Sequence, residues 1–185
     1  RFIRSLRNYF QKKEGDGWLF EDFIQDGIVN YKFRIKNGNN TYSYFIRPQH
    51  ELGKTEGVAF RTRTDFYITL TAISINGQPI EDITAIASMK DMAIYLDGYT
   101  YHATKENQRF INDLQKRNSI VNSGDKLTWT LTWDDLEKFD ATDEHDKKDS
   151  LAFVPAYNNT LKIYKSIPYW TKYNSEIIQT TNSME

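Results

Sequence analysis

The stretch 91–102, DMAIYLDGYTYH, sets the reading of the whole chain. From Met92 to Leu96 it is apolar at every position, and it is short enough to be a strand. A strand that shows no polar alternation is covered on both faces. The run then meets Asp97-Gly98 directly, so it reads as a buried strand that ends in an acid and a turn.

Upstream, residues 65–75 (DFYITLTAISI) are rich in β-branched and aromatic types and predict a second strand, closed by the turn Asn76-Gly77. Two shorter apolar runs, Ile83–Ala87 and Met92–Leu96, follow that turn and are divided by Lys90-Asp91. Before it, Val29, Tyr31, Phe33 and Ile35 alternate with polar residues, and Tyr42, Tyr44 and Phe45 resume after Asn37-Gly38-Asn39-Asn40. Residues 28–47 therefore predict a hairpin, and Pro48 to Gly57 a loop. Phe2, Ile3, Leu6, Tyr9 and Phe10 recur at helical spacing, with Gly15 and Gly17 beyond them. Downstream, residues 104–121 predict a helix whose shared face is Phe110, Ile111, Leu114 and Val121, stopped by Asn122-Ser123-Gly124. Leu127, Trp129, Leu131 and Trp133 alternate as a further strand, with Asp134-Asp135 placed to cap a short helix to Phe139. The order helix, hairpin, strand, strand, helix, strand predicts an α/β sandwich with a mixed sheet.

Composition narrows the classes. At 185 residues, 39% apolar and 15% aromatic, the chain has enough material for one real core and is not wholly disordered. A formal charge of −1 supplies no global attraction for nucleic acid, so any such contact comes from local patches. The absence of cysteine excludes disulfides and thiolate metal sites, and is compatible with a cytoplasmic location. No apolar run reaches the ~18 residues of a membrane span, so no membrane partner is expected. The opening inside a helical pattern at Arg1 reads as a piece of a longer polypeptide. Residues 138–150 (KFDATDEHDKKDS) read as a charged linker, and 151–185 as an extension carrying Tyr157, Tyr164, Tyr169 and Trp170.

Chemistry is suggested by where the acids fall. Asp65 begins one strand, Asp97 closes another, and His102 follows five residues later. A carboxylate at a buried strand end is costly unless it is paired or bound to a cation. Two of them on neighbouring strands can hold Mg²⁺, or Mn²⁺ in its place, a hard ion that takes oxygen ligands. An imidazole beside such an ion can carry protons. Plainer readings stand next to these: Asp97 as an Asp-Gly turn residue, Asp65 paired with Arg61 or Arg63, and Asp113, Lys116 and Arg117 as a solvated helix face. His50 and His145 have no constellation.

Thr64-Asp65-Phe66, then Ala93 to His102, then the helix with Asp113, Lys116 and Arg117, then Gly124 and Leu131-Thr132-Trp133-Asp134-Asp135 form an ordered set. In that order and spacing, residues 61–135 resemble the core of the very-short-patch repair endonuclease family, within the PD-(D/E)xK nuclease superfamily. With the opening helix Phe2–Arg7 included, residues 1–137 are similar to C-terminal modules of bacterial DEAD/DEAH-type helicases, some in phage defence. The resemblance implies a restriction-endonuclease-like mixed sheet flanked by helices over residues 1–137. It implies a Mg²⁺-dependent DNA endonuclease or nickase, with Asp65 and Asp97 as metal ligands and His102 as the general acid/base. It also implies Lys116 and Arg117 as phosphate contacts, and as partners DNA with the rest of a helicase-type protein or subunits of a defence complex. Tyr99 stands in the D-x-K slot after Asp97, Tyr95 stands where many relatives place Glu, and residues 76–91 form an insertion. An inactive nuclease-fold module that binds DNA or protein is therefore the alternative implied by the same likeness.

Overall fold

A central sheet organises the computed structural model, which describes residues 1–97 and 109–141. Helix α1 (Phe2–Lys12) leads into three antiparallel strands, β1 (Leu19–Gln25), β2 (Ile28–Asn37) and β3 (Asn40–Pro48). The short pair β4 (Glu51–Leu52) and β5 (Thr62–Arg63) lies off the sheet, and β6 (Phe66–Ile75) returns to it beside β3. β7 (Gln78–Pro79) folds back on β6, and helix α2 (Ile83–Ala87) leads to β8 (Asp91–Asp97). Helix α3 (Phe110–Val121), strand β9 (Lys126–Thr132) and helix α4 (Trp133–Ala141) complete the described chain.

The strand order is β1-β2-β3-β6-β8-β9, so the sheet is laid out in the order of the sequence. Every pair is antiparallel except β8 and β9, which run parallel from Asp91↔Lys126 to Asp97↔Thr132. A parallel pair needs a long crossover, and the segment containing α3 supplies it. The architecture is a mixed α/β fold with a mostly antiparallel sheet and few helices.

Strand β8 shows why its sequence lacks alternation. Ala93 and Tyr95 join Leu52, Val58, Tyr67 and Ile120 in a core on the side of α3. Ile94 joins Phe2, Leu131 and Leu136 in a core on the side of α1 and α4, where Met92, Leu96, Phe66 and Trp129 pack. Each face has its own cover, so each residue of the run is apolar. Full burial of a side chain such as Ile94 contributes about 1.5–3 kcal/mol.

Most of the expected elements fall where the spacing puts them. The hairpin over 28–47 is β2 and β3, closed at Asn37↔Asn40. Residues 66–75 and 126–132 are strands, and the helix occupies 110–121, its expected start at 104–108 lying outside the described residues. The run Ile83–Ala87 is a helix, its N-terminus capped by the Asp82 carboxylate on the Thr84 N–H. Strand β1 is an addition to the sequence reading. It pairs with β2 through the turn Asp26-Gly27, whose φ values of 53° and 74° suit the tight hairpin turn that Asp-Gly favours. The segment 49–65, read in part as a loop, holds β4, a 3₁₀ turn and β5. Helix α4 begins at Trp133 and runs through Ala141, taking in the first four residues of the expected linker from 138, and Phe139 packs on Tyr9 with ring centroids 5.7 Å apart. The rest of the linker and the extension lie outside the described residues. Among the described residues no helix is long and apolar enough to cross a membrane.

Candidate functional site

Asp65 lies one residue before β6, and its backbone N–H donates to Ile94 O at 3.0 Å. Its carboxylate goes further: Oδ2 accepts the Leu96 N–H at 2.8 Å. The paired register of β6 with β8 ends at Phe66↔Ile94, and beyond it this side chain takes the place of a main-chain carbonyl. An ionised carboxylate is a stronger acceptor than an amide oxygen, so the exchange anchors Asp65 on β8. Gln49 reinforces the position, with its N–H on Asp65 O at 3.0 Å and its side-chain amide 3.4 Å from Oδ1. The Asp65 carboxylate is thus bound at the residue that precedes Asp97. Arg61, one of the expected partners of Asp65, pairs instead with Glu51 at 2.5 Å on the surface.

Asp97 is the last residue of β8 and is 5% exposed. Parity along β8 puts it on the face of Tyr95, toward α3. There Arg117, 2% exposed, sets its Nη2 2.6 and 2.7 Å from the two carboxylate oxygens. The same guanidinium lies 4.9 Å from the centre of the Tyr95 ring, within cation–π range. The Tyr95 hydroxyl is 3.0 Å from Thr62 Oγ1. Burial pushes the Tyr95 hydroxyl up to about 12; the Thr62 hydrogen bond and the Arg117 charge oppose that rise, and Asp65 and Asp97 both add to it. One phenol therefore senses both acids and the arginine.

Of the basic residues read as phosphate contacts, Lys116 is half-buried, whereas Arg117 points inward. The cause is its place on α3. Leu114, Arg117 and Ile120 follow at three-residue intervals and are all buried, so the arginine sits on the stripe that faces the sheet. An arginine on an apolar stripe must meet a counter-charge, and Asp97 is the acid at that level. The pattern was present in the sequence as Leu114, Arg117 and Val121 at i, i+3 and i+7. His102 lies outside the described residues. Among the described residues no three His, Cys, Asp or Glu side chains converge as a metal cluster.

A second polar group, absent from the sequence reading, forms at the other end of β8. Tyr67 donates its hydroxyl to Asp91 Oδ2 at 2.8 Å, and His50 stacks on the Tyr67 ring at 4.6 Å. Burial raises the Asp91 carboxyl above its ordinary range, opposed by the Tyr67 hydrogen bond and the Lys126 charge. Lys126, itself buried, donates to Glu56 O and to Asp125 Oδ2 at 2.8 and 2.7 Å. These bonds, with the Phe60 N–H on Ser119 Oγ at 3.0 Å, fasten the 49–65 segment over the α3 side of the sheet. Burial and the nearby Arg47 hold the His50 imidazole below its usual value.

No protein-family model, curated protein or solved structure matches this chain.

Proposed function

We propose that this domain is a restriction-endonuclease-like module of a larger helicase-type protein and that it cleaves or nicks DNA with Mg²⁺ or Mn²⁺. Asp65 and Asp97 would hold the cation, and His102 would act as the proton carrier. The observation that supports the reading most is the bond from Leu96 N–H to Asp65 Oδ2, which holds the Asp65 carboxylate on β8 at the residue before Asp97. The mixed sheet with helices packed on its faces is in keeping with the same fold. The donor set is chemically suited to a hard divalent ion, since both members are carboxylates and, among the described residues, Asp65 Oδ1 meets only the Gln49 amide at 3.4 Å. A cation held there would lower the pKa of a water and neutralise charge building on the phosphate. Lys116, partly exposed on α3, supplies a phosphate contact.

The test is cleavage of labelled duplex and single-stranded DNA with Mg²⁺ and with Mn²⁺. Asp65→Ala and Asp97→Ala should abolish it, and His102→Ala should slow it by roughly 10²–10⁴-fold, the usual contribution of a positioned acid/base. Cleavage that survives both aspartate variants sinks the reading.

A second reading is an inactive module of the same fold that binds DNA or a protein partner. It is favoured by one observation, the engagement of both Asp97 oxygens by Arg117. Binding of DNA whose affinity falls steeply with salt, without cleavage under either metal, would select it.

A further inference from the structure

Arg117 brings a permanent positive charge to a carboxylate that the proposed function reserves for a metal ion. Both Asp97 oxygens lie within 2.7 Å of one guanidinium nitrogen, and the pair is almost wholly buried. Arginine keeps its proton in proteins, so this charge cannot be removed by deprotonation. A divalent ion on the same oxygens would then lie a few ångströms from a unit positive charge in a poorly screened site, an arrangement that repels strongly. The two cations are therefore mutually exclusive on Asp97, and one leaves as the other arrives.

We propose that Arg117 is the resident counter-ion of Asp97 and competes with divalent cations for it, so that loading the site requires the guanidinium to withdraw. This rests on Asp97 being a cation ligand. Tyr95 gives the arginine somewhere to stay: its ring already lies 4.9 Å from the guanidinium, and Thr62 holds the hydroxyl at the far end. A guanidinium that slides from the carboxylate onto the ring keeps a favourable contact without returning to water.

The experiment has two parts on the 185-residue chain. In the wild type, the Arg117 side-chain Nε–H resonance, assigned by its loss in Arg117→Lys, is followed during Mg²⁺ titration. In parallel, Mn²⁺ affinity is measured by electron paramagnetic resonance for wild type and Arg117→Gln. The resonance should shift saturably, and Arg117→Gln should bind Mn²⁺ about 5- to 150-fold more tightly, the ordinary span of a coupling between two ligands. If the glutamine variant fails to fold, Arg117→Met serves in its place and should also gain affinity, because it too removes the positive charge from Asp97. Equal or weaker Mn²⁺ binding in the folded variant, or an Arg117 resonance that ignores bound Mg²⁺, overturns the competition. Wild-type cleavage of DNA with no affinity gain in the variant would overturn the competition and leave the nuclease reading standing. An affinity gain with no cleavage by any form would do the reverse.

Discussion

Strand β8 begins and ends with an aspartate, and the two ends are stabilised by different physics. Asp91, half-buried, is met by a neutral donor, the Tyr67 hydroxyl, and burial raises its carboxyl. Asp97, buried, is met by a guanidinium from α3. A phenol gives Asp91 a neutral hydrogen bond; a guanidinium gives Asp97 a full opposite charge. The residue type and the strand are the same, so the difference lies in what α3 and β6 bring. Asp91 belongs to a polar patch with Tyr67 and His50, and Asp97 to a buried charge pair with Arg117.

The largest break in that contrast should come from Arg117→Met. With the Asp97 carboxylate buried and its guanidinium removed, unfolding free energy should fall by about 3–5 kcal/mol, measured from urea denaturation. Combining it with Asp97→Leu should restore much of the loss, since an apolar pair can replace a buried ion pair at little cost. A loss below about 1 kcal/mol in the single variant would mean that the pair behaves like a surface bridge.

Next in size is the alkaline limb. The Tyr95 hydroxyl, raised to about 12, stays protonated in the fold where the unfolded chain ionises near 10. A raised value gives stability that is complete below the unfolded pKa and lost as pH climbs through the folded one. The decline between pH 10 and 12 should amount to about 2–3 kcal/mol, and Tyr95→Phe should remove this component of the slope. A slope unchanged in Tyr95→Phe would assign the alkaline loss to other groups.

At the opposite end of β8 the effects shrink. Tyr67→Phe should cost about 0.5–1.5 kcal/mol, the net worth of one hydrogen bond. The same change should raise the Asp91 titration further, because the hydrogen bond it removes favours the carboxylate; the Asp91 carboxyl carbon resonance would show it. The smallest effect belongs to His50. Its lowered value means that its contribution to stability is present above about pH 6.5 and is lost as pH falls through the folded pKa. His50→Gln should flatten the stability profile in that window and leave it unchanged at pH 8.

How much of this was legible follows from the range of each interaction. Strands with a pattern in their own residues, such as 66–75 and 91–97, were read from local spacing. Strand β1 was missed because LFEDFIQ mixes its polar and apolar residues without clean alternation; as an edge strand it leaves Ile24 73% exposed. The Asp26-Gly27 turn was its one local sign. Asp65 and Asp97 could be chosen as strand-end acids, but their partners could not. The bond from Leu96 N–H to Asp65 depends on where β6 leaves the sheet, and Arg117 depends on the rotation of α3. His50 was invisible for the same reason: its partner Tyr67 is 17 residues away, and only the path of the 49–65 segment brings them together.

The sheet's sequential order also governs the sequence of assembly. Up to β8 each strand can dock on the edge formed by the sheet strand before it. Both charged partners at the ends of β8 come afterwards: Arg117 with α3, then Lys126 with β9. During synthesis Asp97 is therefore a solvated carboxylate on an open edge until the crossover folds down and seals it. If Asp97 is the cation ligand proposed above, an ion present in that interval would meet the acid before its arginine does, and the conditions of folding, not only those of assay, would decide which cation it first holds.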